Sequence, residues 1–184
     1  MKLIAIILSI LITLSAYGNE LTARDVRQAI QDGNLSFIKE LTSDGEKLAS
    51  IFKSSNVNPF QMAVYFNQPE ILKELLSNNK QNTAEQLNRA LIVACAPNKK
   101  SNEAIKLLIS GGANINALVN GVNCLYTTVI AADYELFKYL LSIGANPDVE
   151  VMPDQSFGLG FPKKATINQL IKLRLKSYQE MSNT

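Results

Sequence analysis

The sequence predicts an all-α solenoid in which short helix–turn–helix units stack side by side. The first observation is a leucine that recurs at separations of 34, 33 and 32 residues, at Leu41, Leu75, Leu108 and Leu140. The second is a turn: Gly-Ala-Asn-Ile-Asn at 112–116 returns 32 residues later as Gly-Ala-Asn-Pro-Asp at 144–148. Such a period is typical of repeat proteins, whose units bury their apolar faces only against neighbouring units.

The clearest unit spans residues 120–148. Its second helix is predicted from an apolar stripe with i, i+3, i+4 spacing, formed by Leu136, Phe137, Leu140 and Leu141. Residues 131–133 (Ala-Ala-Asp) form the tight corner before that helix. Gly144 should end it, because glycine adopts a left-handed C-terminal cap without a steric penalty.

The period near 33 residues, the paired helices and the closing Gly-Ala-Asn turn together resemble the ankyrin repeat family. The family's opening Thr-Pro-Leu-His motif appears only in weakened form, as Asn-Pro-Phe-Gln at 58–61 and Asn-Cys-Leu-Tyr at 123–126. The resemblance covers about residues 23–148. It implies four repeats within residues 19–148, at about 22–55, 56–86, 87–118 and 119–148. Tetratricopeptide repeats have a similar period but lack this turn.

The N-terminus has the layout of a secretory signal peptide, residues 1–18. A positive start at Lys2 precedes the apolar run 3–14, and small residues follow before a polar segment. Cleavage is expected near Gly18, which would place the mature protein in the periplasm or outside the cell. The alternative is an uncleaved anchor, but the run is short against the roughly 20 residues of a membrane-spanning helix. We therefore expect no stable membrane insertion after cleavage.

The repeat pattern ends at Asp148, and residues 149–184 are predicted to form a long loop (149–162) and a C-terminal capping helix (163–181). Phe157 and Phe161 in the loop either fold under as a small additional core or project as a binding surface. Long loops on a regular scaffold often carry function.

The chain contains two cysteines, Cys95 and Cys124. The compartment permits disulfides, but neighbouring helices lie about 8–10 Å apart and a disulfide requires Cα atoms within about 7 Å. Two free, buried thiols are therefore predicted.

The resemblance implies that partner-binding residues lie in the concave groove. Tyr65 and Phe66 fall at the end of a first helix, where ankyrin proteins usually face the groove, and aromatic side chains dominate binding hot spots. The alternative is that one of them packs against the next helix. In the fourth repeat the corresponding positions are Asn120, Val122 and Ile130.

Two lysines form a further candidate. A two-residue insertion at the corner of the third repeat should expose Lys99 and Lys100, which could contact an acidic partner. Two lysines on a loop are also ordinary solvated surface.

The composition excludes most catalytic chemistry. The chain has no histidine, which removes Ser-His-Asp triads, Cys-His pairs and imidazole zinc sites. There is no CxxC motif and no phosphate-binding loop. We therefore expect no enzyme activity, no metal and no cofactor. The net charge of +2 gives no reason to expect nucleic-acid binding.

The remaining expectation is a non-catalytic protein-binding module outside the cytoplasm. Small ankyrin-like proteins with a signal peptide look bacterial and periplasmic. The resemblance then implies an immunity or inhibitor protein that covers the active site of a toxic effector enzyme. The alternative is a periplasmic scaffold, or an accessory subunit that supports an envelope enzyme or assembly.

Overall fold

The computed structural model describes residues 21–44, 48, 50–52, 58–77, 83–97, 101–153 and 162–173. Its helices are α1 (Ala23–Gln31), α2 (Leu35–Ser43), α3 (Pro59–Tyr65), α4 (Pro69–Ser77), α5 (Ala84–Ala94), α6 (Asn102–Ser110), α7 (Cys124–Ala131) and α8 (Tyr134–Ser142). Two short strands follow, β1 (Glu150–Val151) and β2 (Ala165–Thr166). The predicted signal peptide lies outside the described residues. No helix in the described ranges is long and apolar enough to cross a membrane.

The helices pair into stacked helix–turn–helix units, which confirms the predicted all-α solenoid. The first helices α1, α3 and α5 pack side by side, and the second helices α2, α4 and α6 form the neighbouring layer. The recurring leucines lie between the layers, all of them at most 4% exposed: Leu41, Leu75, Leu108 and Leu140. Leu141, predicted to extend the apolar stripe of α8, is instead 37% exposed.

Polar residues cap the helix starts. Thr22 and Asp25 form a capping box on α1, and Thr83 and Gln86 form another on α5. Asn58 caps α3, and Pro59 follows it at the start of the helix, where the missing N–H has no hydrogen-bonding role.

The corners between paired helices share one backbone feature. Gly33, Asn67 and Ala132 have φ values of 70°, 53° and 54°. This left-handed conformation reverses the chain between the two helices of a unit. The predicted turn at Gly144 is also confirmed, because this glycine follows α8 with a φ of 99°.

The cysteines are joined by a disulfide, so the prediction of free thiols is wrong. The Cα atoms of Cys95 and Cys124 are 5.4 Å apart. The prediction assumed helices aligned at one level, but α5 has 11 residues against 7 in α3 and 8 in α7. Cys95 caps the end of this longer helix and lies beside the first turn of α7, where the Thr127 hydroxyl donates to the Cys95 carbonyl at 3.2 Å.

The closing helix begins later than predicted. Lys163 and Lys164 lie outside it, and residues 165–166 form β2, which pairs antiparallel with β1. The helical residues are 167–173. Thr166 sets this start, because its hydroxyl accepts the Gln169 N–H at 3.3 Å while the Gln169 side chain accepts the Thr166 N–H at 2.9 Å. This reciprocal pair is a capping box. The predicted helix beyond residue 173 lies outside the described residues.

Candidate protein-binding groove

Tyr65 and Phe66 lie where α3 ends and the chain turns. Tyr65 is the last helical residue and is 52% exposed. Phe66 caps the helix through its N–H to the Met62 carbonyl, and its side chain is half-buried. The two rings meet edge to face, with centroids 5.2 Å apart and planes at 88°. This geometry is favourable for aromatic pairs and leaves much of the Tyr65 ring open to solvent.

Both aromatic residues line a pocket of about 370 Å³ on the side of the first helices. We call it the groove pocket, and its lining residues are Arg27, Asn58, Gln61, Met62, Tyr65, Phe66 and Val93. Arg27 comes from α1, Val93 from α5, and the others from α3 and its two ends. The pocket therefore spans the first three repeats.

Side-chain hydrogen bonds fix the position of α3 against α5. The Asn58 oxygen accepts the N–H groups of Phe60 and Gln61 at 3.0 and 3.2 Å. The Asn58 side-chain amide donates to the Gln86 carbonyl at 2.7 Å. The Gln61 amide likewise donates to the Arg89 carbonyl at 3.4 Å. The pocket wall is thus tied to two neighbouring helices.

The electrostatic character of the groove pocket comes from one residue. Arg27 is the only charged residue among those that line it, and it is exposed. Within the described ranges Arg27 has no ion pair, whereas Arg89 on α5 is paired with Glu85 at 2.9 Å. The groove pocket therefore combines apolar and aromatic walls with a single cation.

The predicted groove residues of the fourth repeat lie apart from this pocket. Asn120 and Gly121 have φ values of 53° and 82° and form a tight hairpin turn, closed by hydrogen bonds between Val119 and Val122. Asn120 is exposed at its tip. Val122 and Ile130 are half-buried and pack against the core. None of the predicted three lines the groove pocket.

The remaining predicted site residues cannot be placed in the structure. Lys99 and Lys100 at the corner of the third repeat, and Phe157 and Phe161 in the loop, lie outside the described residues. Their roles stay predictions.

The sequence interpretation missed most of the groove pocket lining. Arg27 was expected to be exposed, and it is, but it was assigned to the solvated face of a cap. A usable signal was present, because Asn58, Gln61 and Tyr65 follow i, i+3, i+7 spacing and so share one face of α3. Val93 had no such signal, because its place depends on how α5 packs against α3.

No metal site accompanies the pocket. Among the residues that the structure describes, no group of three or more cysteine, aspartate or glutamate side chains could bind a metal ion. The disulfide also removes both thiols as ligands.

The sequence matches a family profile described as ankyrin repeats (3 copies), over residues 26–118 and 60–151. A search of curated protein sequences gave no match. Ankyrin repeats are typically non-catalytic and indicate a protein-interaction module. The profile matches and the stacked helix pairs together show that the chain belongs to the ankyrin repeat family.

Proposed function

We propose that this protein is an inhibitor of the immunity type, which acts outside the cytoplasm and binds a toxic enzyme through the groove pocket. The observation that carries the proposal is Tyr65, a large aromatic side chain that is 52% exposed at the edge of a preformed pocket. Aromatic residues in such positions supply a large share of binding energy at protein interfaces.

The rigidity of the pocket supports tight binding. Asn58 and Gln61 connect the α3 wall to α5 through backbone carbonyls, so little of that wall has to become ordered when a partner binds. A surface that is ordered before binding loses less conformational entropy on association. Such a surface can inhibit an enzyme by covering its active site, with no chemistry of its own.

Two observations support a location outside the cytoplasm. The apolar run at 3–14, followed by small residues, has the layout of a secretory signal peptide. The Cys95–Cys124 disulfide agrees with this, because disulfides persist mainly in oxidising compartments and are rare in the cytosol.

The proposal is tested with the chain produced from Met1 and purified from the envelope fraction of its native host. Wild type, Tyr65→Ala and Tyr134→Ala serve as baits for proteins of the same fraction. Tyr134 is a matched control, because it is 66% exposed but lies on α8, away from the groove pocket. Circular dichroism melting checks that all three are equally folded.

We expect one partner, bound at one-to-one stoichiometry by wild type and Tyr134→Ala. Tyr65→Ala should weaken its binding about 30-fold, the effect of a hot-spot residue. The purified partner should lose enzyme activity when wild type is added in equal amount. Weak binding of several proteins, or binding without inhibition, would contradict the inhibitor role and favour a scaffold or accessory subunit. Unchanged binding by Tyr65→Ala would show that the groove pocket is not the site.

A further inference from the structure

We infer that the groove pocket recognises an aspartate or glutamate side chain of the partner protein, close in sequence to a large apolar residue of the same segment. Arg27 would bind the carboxylate, and the aromatic and apolar walls would bind the neighbouring side chain. This inference rests on the proposed binding function of the groove and specifies the chemistry of what enters it.

The charge of the pocket favours an acidic segment. Arg27 is the only charged lining residue, and no carboxylate pairs with it within the described part of the chain. The two acids on and next to α1 are engaged elsewhere. The Asp25 carboxylate accepts the N–H and hydroxyl of Thr22 at 2.9 and 2.7 Å, and the Asp32 carboxylate accepts the Gln28 amide at 2.9 Å. The planar guanidinium of Arg27 can bind a carboxylate through two parallel hydrogen bonds.

The walls of the pocket favour an apolar residue beside that acid. Met62, Phe66 and Val93 are half-buried, and the exposed part of Tyr65 extends the same surface. A volume of about 370 Å³ is near the lower end of the roughly 300–1,000 Å³ that is usual for ligand pockets. This leaves room for one or two side chains but not for a whole helix.

The polar atoms favour an internal segment over a chain terminus. The amide nitrogens of Asn58 and Gln61 already donate to backbone carbonyls of α5. The Gln61 side-chain oxygen accepts no hydrogen bond from the residues described and can accept a backbone N–H of a bound segment. A terminal carboxylate is usually captured by several backbone N–H donors, and the pocket lining supplies Arg27 instead. We therefore assign the carboxylate to an acidic side chain.

The inference is tested with a library of random peptides displayed on phage. The peptides are joined to the coat protein through their C-termini, so that the only free carboxylates come from side chains. The baits are the full chain as wild type, Arg27→Gln, Tyr65→Ala and Arg24→Gln. Arg24 is the matched control, because it is also exposed on α1 but does not line the pocket.

Wild type and Arg24→Gln should both enrich peptides in which an acid lies within a few residues of a large apolar side chain. An amidated synthetic peptide from that set should bind Arg27→Gln between about tenfold and a hundredfold more weakly than wild type, as expected for a lost charged hydrogen bond. Its affinity for wild type should fall with added salt. Matched melting temperatures exclude unfolding as the cause.

The outcomes separate this inference from the proposed function. Peptides that require Tyr65 but lack an acid, or that bind Arg27→Gln as well as wild type, would overturn the acidic anchor and leave groove binding intact. Peptides whose binding is the same for Tyr65→Ala would contradict the groove as the binding site altogether. A library that yields no enriched peptide would also overturn the inference, because the pocket would then not recognise a short segment.

Discussion

The side-chain oxygen of Asn116 accepts the backbone N–H of Asn146 at 2.7 Å, and this bond joins two successive repeats at their turns. The turns themselves share one geometry. The Asn114 side chain accepts the Asn116 N–H at 2.9 Å, and the Asn146 side chain accepts the Asp148 N–H at 2.9 Å. The asparagines of the repeated turn therefore have two physical roles, to close each turn and to connect it to the next.

Asn116→Ala should lower the free energy of unfolding by about 1 kcal/mol, the usual net contribution of one hydrogen bond. The substitution removes the bond to Asn146 and a weaker one to the Gly144 carbonyl at 3.4 Å. Urea unfolding followed by circular dichroism measures the change. Asn102→Ala, at an exposed position at the start of α6, is the control and should stay within about 0.5 kcal/mol of wild type. Equal stabilities would show that the turns do not couple the repeats.

The disulfide should contribute substantially to stability. Cys95 and Cys124 are 29 residues apart in sequence, and closing a loop of this size stabilises a fold by about 3–4 kcal/mol in the chain-entropy description. We expect the double variant Cys95→Ala/Cys124→Ala to be less stable by about this amount. Non-reducing peptide mapping of wild type should recover the linked pair.

A reducing agent supplies the control for that measurement. It should lower the unfolding midpoint of wild type and leave that of the double variant unchanged. An equal response of both proteins would mean that the loss arises elsewhere than from the bond. Recovery of both cysteines as free thiols from the native protein would show that the bond is absent.

N-terminal processing tests the proposed location. Protein made from Met1 in a bacterial host and recovered from the periplasm should begin at Asn19, because small residues precede this position as in a signal-peptidase site. Edman sequencing of the purified protein identifies the first residue. Replacing the centre of the apolar run, Ile10→Lys, should keep the chain in the cytoplasm. A start at Met1 in membrane-bound protein would instead support an uncleaved anchor.

The parts of the fold that are encoded locally could be predicted from the sequence. The leucine period and the closing turn at Gly144 depend on residues a few positions apart, and both appear where expected. The disulfide could not be predicted, because it depends on the extra length of α5 and on the level at which α7 packs beside it. The start of the closing helix at Ile167 had a local signal, the Thr166 and Gln169 capping pair, that was overlooked.

The candidate site was predictable to a similar, limited degree. Tyr65 and Phe66 could be proposed because they end a first helix. The contribution of Arg27 from the preceding repeat and of Val93 from the following one depends on the packing of α3 between α1 and α5. Contacts between repeats of unequal length do not follow from the period alone.

Ala132→Gly should stabilise the protein by about 0.5–1 kcal/mol. Ala132 has a φ of 54° at the end of α7, a left-handed conformation that costs a residue with a Cβ atom roughly 1–2 kcal/mol. Glycine removes that cost but gives back part of the gain through the greater entropy of the unfolded chain. Thermal and urea unfolding measure the net change.

Ala131→Gly is the matched control for Ala132→Gly. Ala131 is the last residue of α7 and lies next to Ala132 in sequence. In its helical conformation glycine should destabilise the protein by about 0.5–1 kcal/mol. Opposite signs for the two neighbours would identify backbone conformation as the cause. A loss of stability in both variants would contradict the left-handed corner.

Gly121→Ala should destabilise the protein more than Gly144→Ala. Both glycines have positive φ, 82° and 99°, so each substitution should cost roughly 1–2 kcal/mol in backbone strain. A Cβ at Gly144 would meet nothing within 4 Å, whereas one at Gly121 would lie 2.8 Å from the Met152 Cβ. Met152 cannot easily move away, because its N–H donates to the Gly121 carbonyl at 2.7 Å. We expect the free energy of unfolding of Gly121→Ala to be lower than that of Gly144→Ala by about 1 kcal/mol or more, the usual minimum cost of overpacking. Parallel urea titrations decide this, and equal losses would mean that Met152 does not pack against the hairpin before α7.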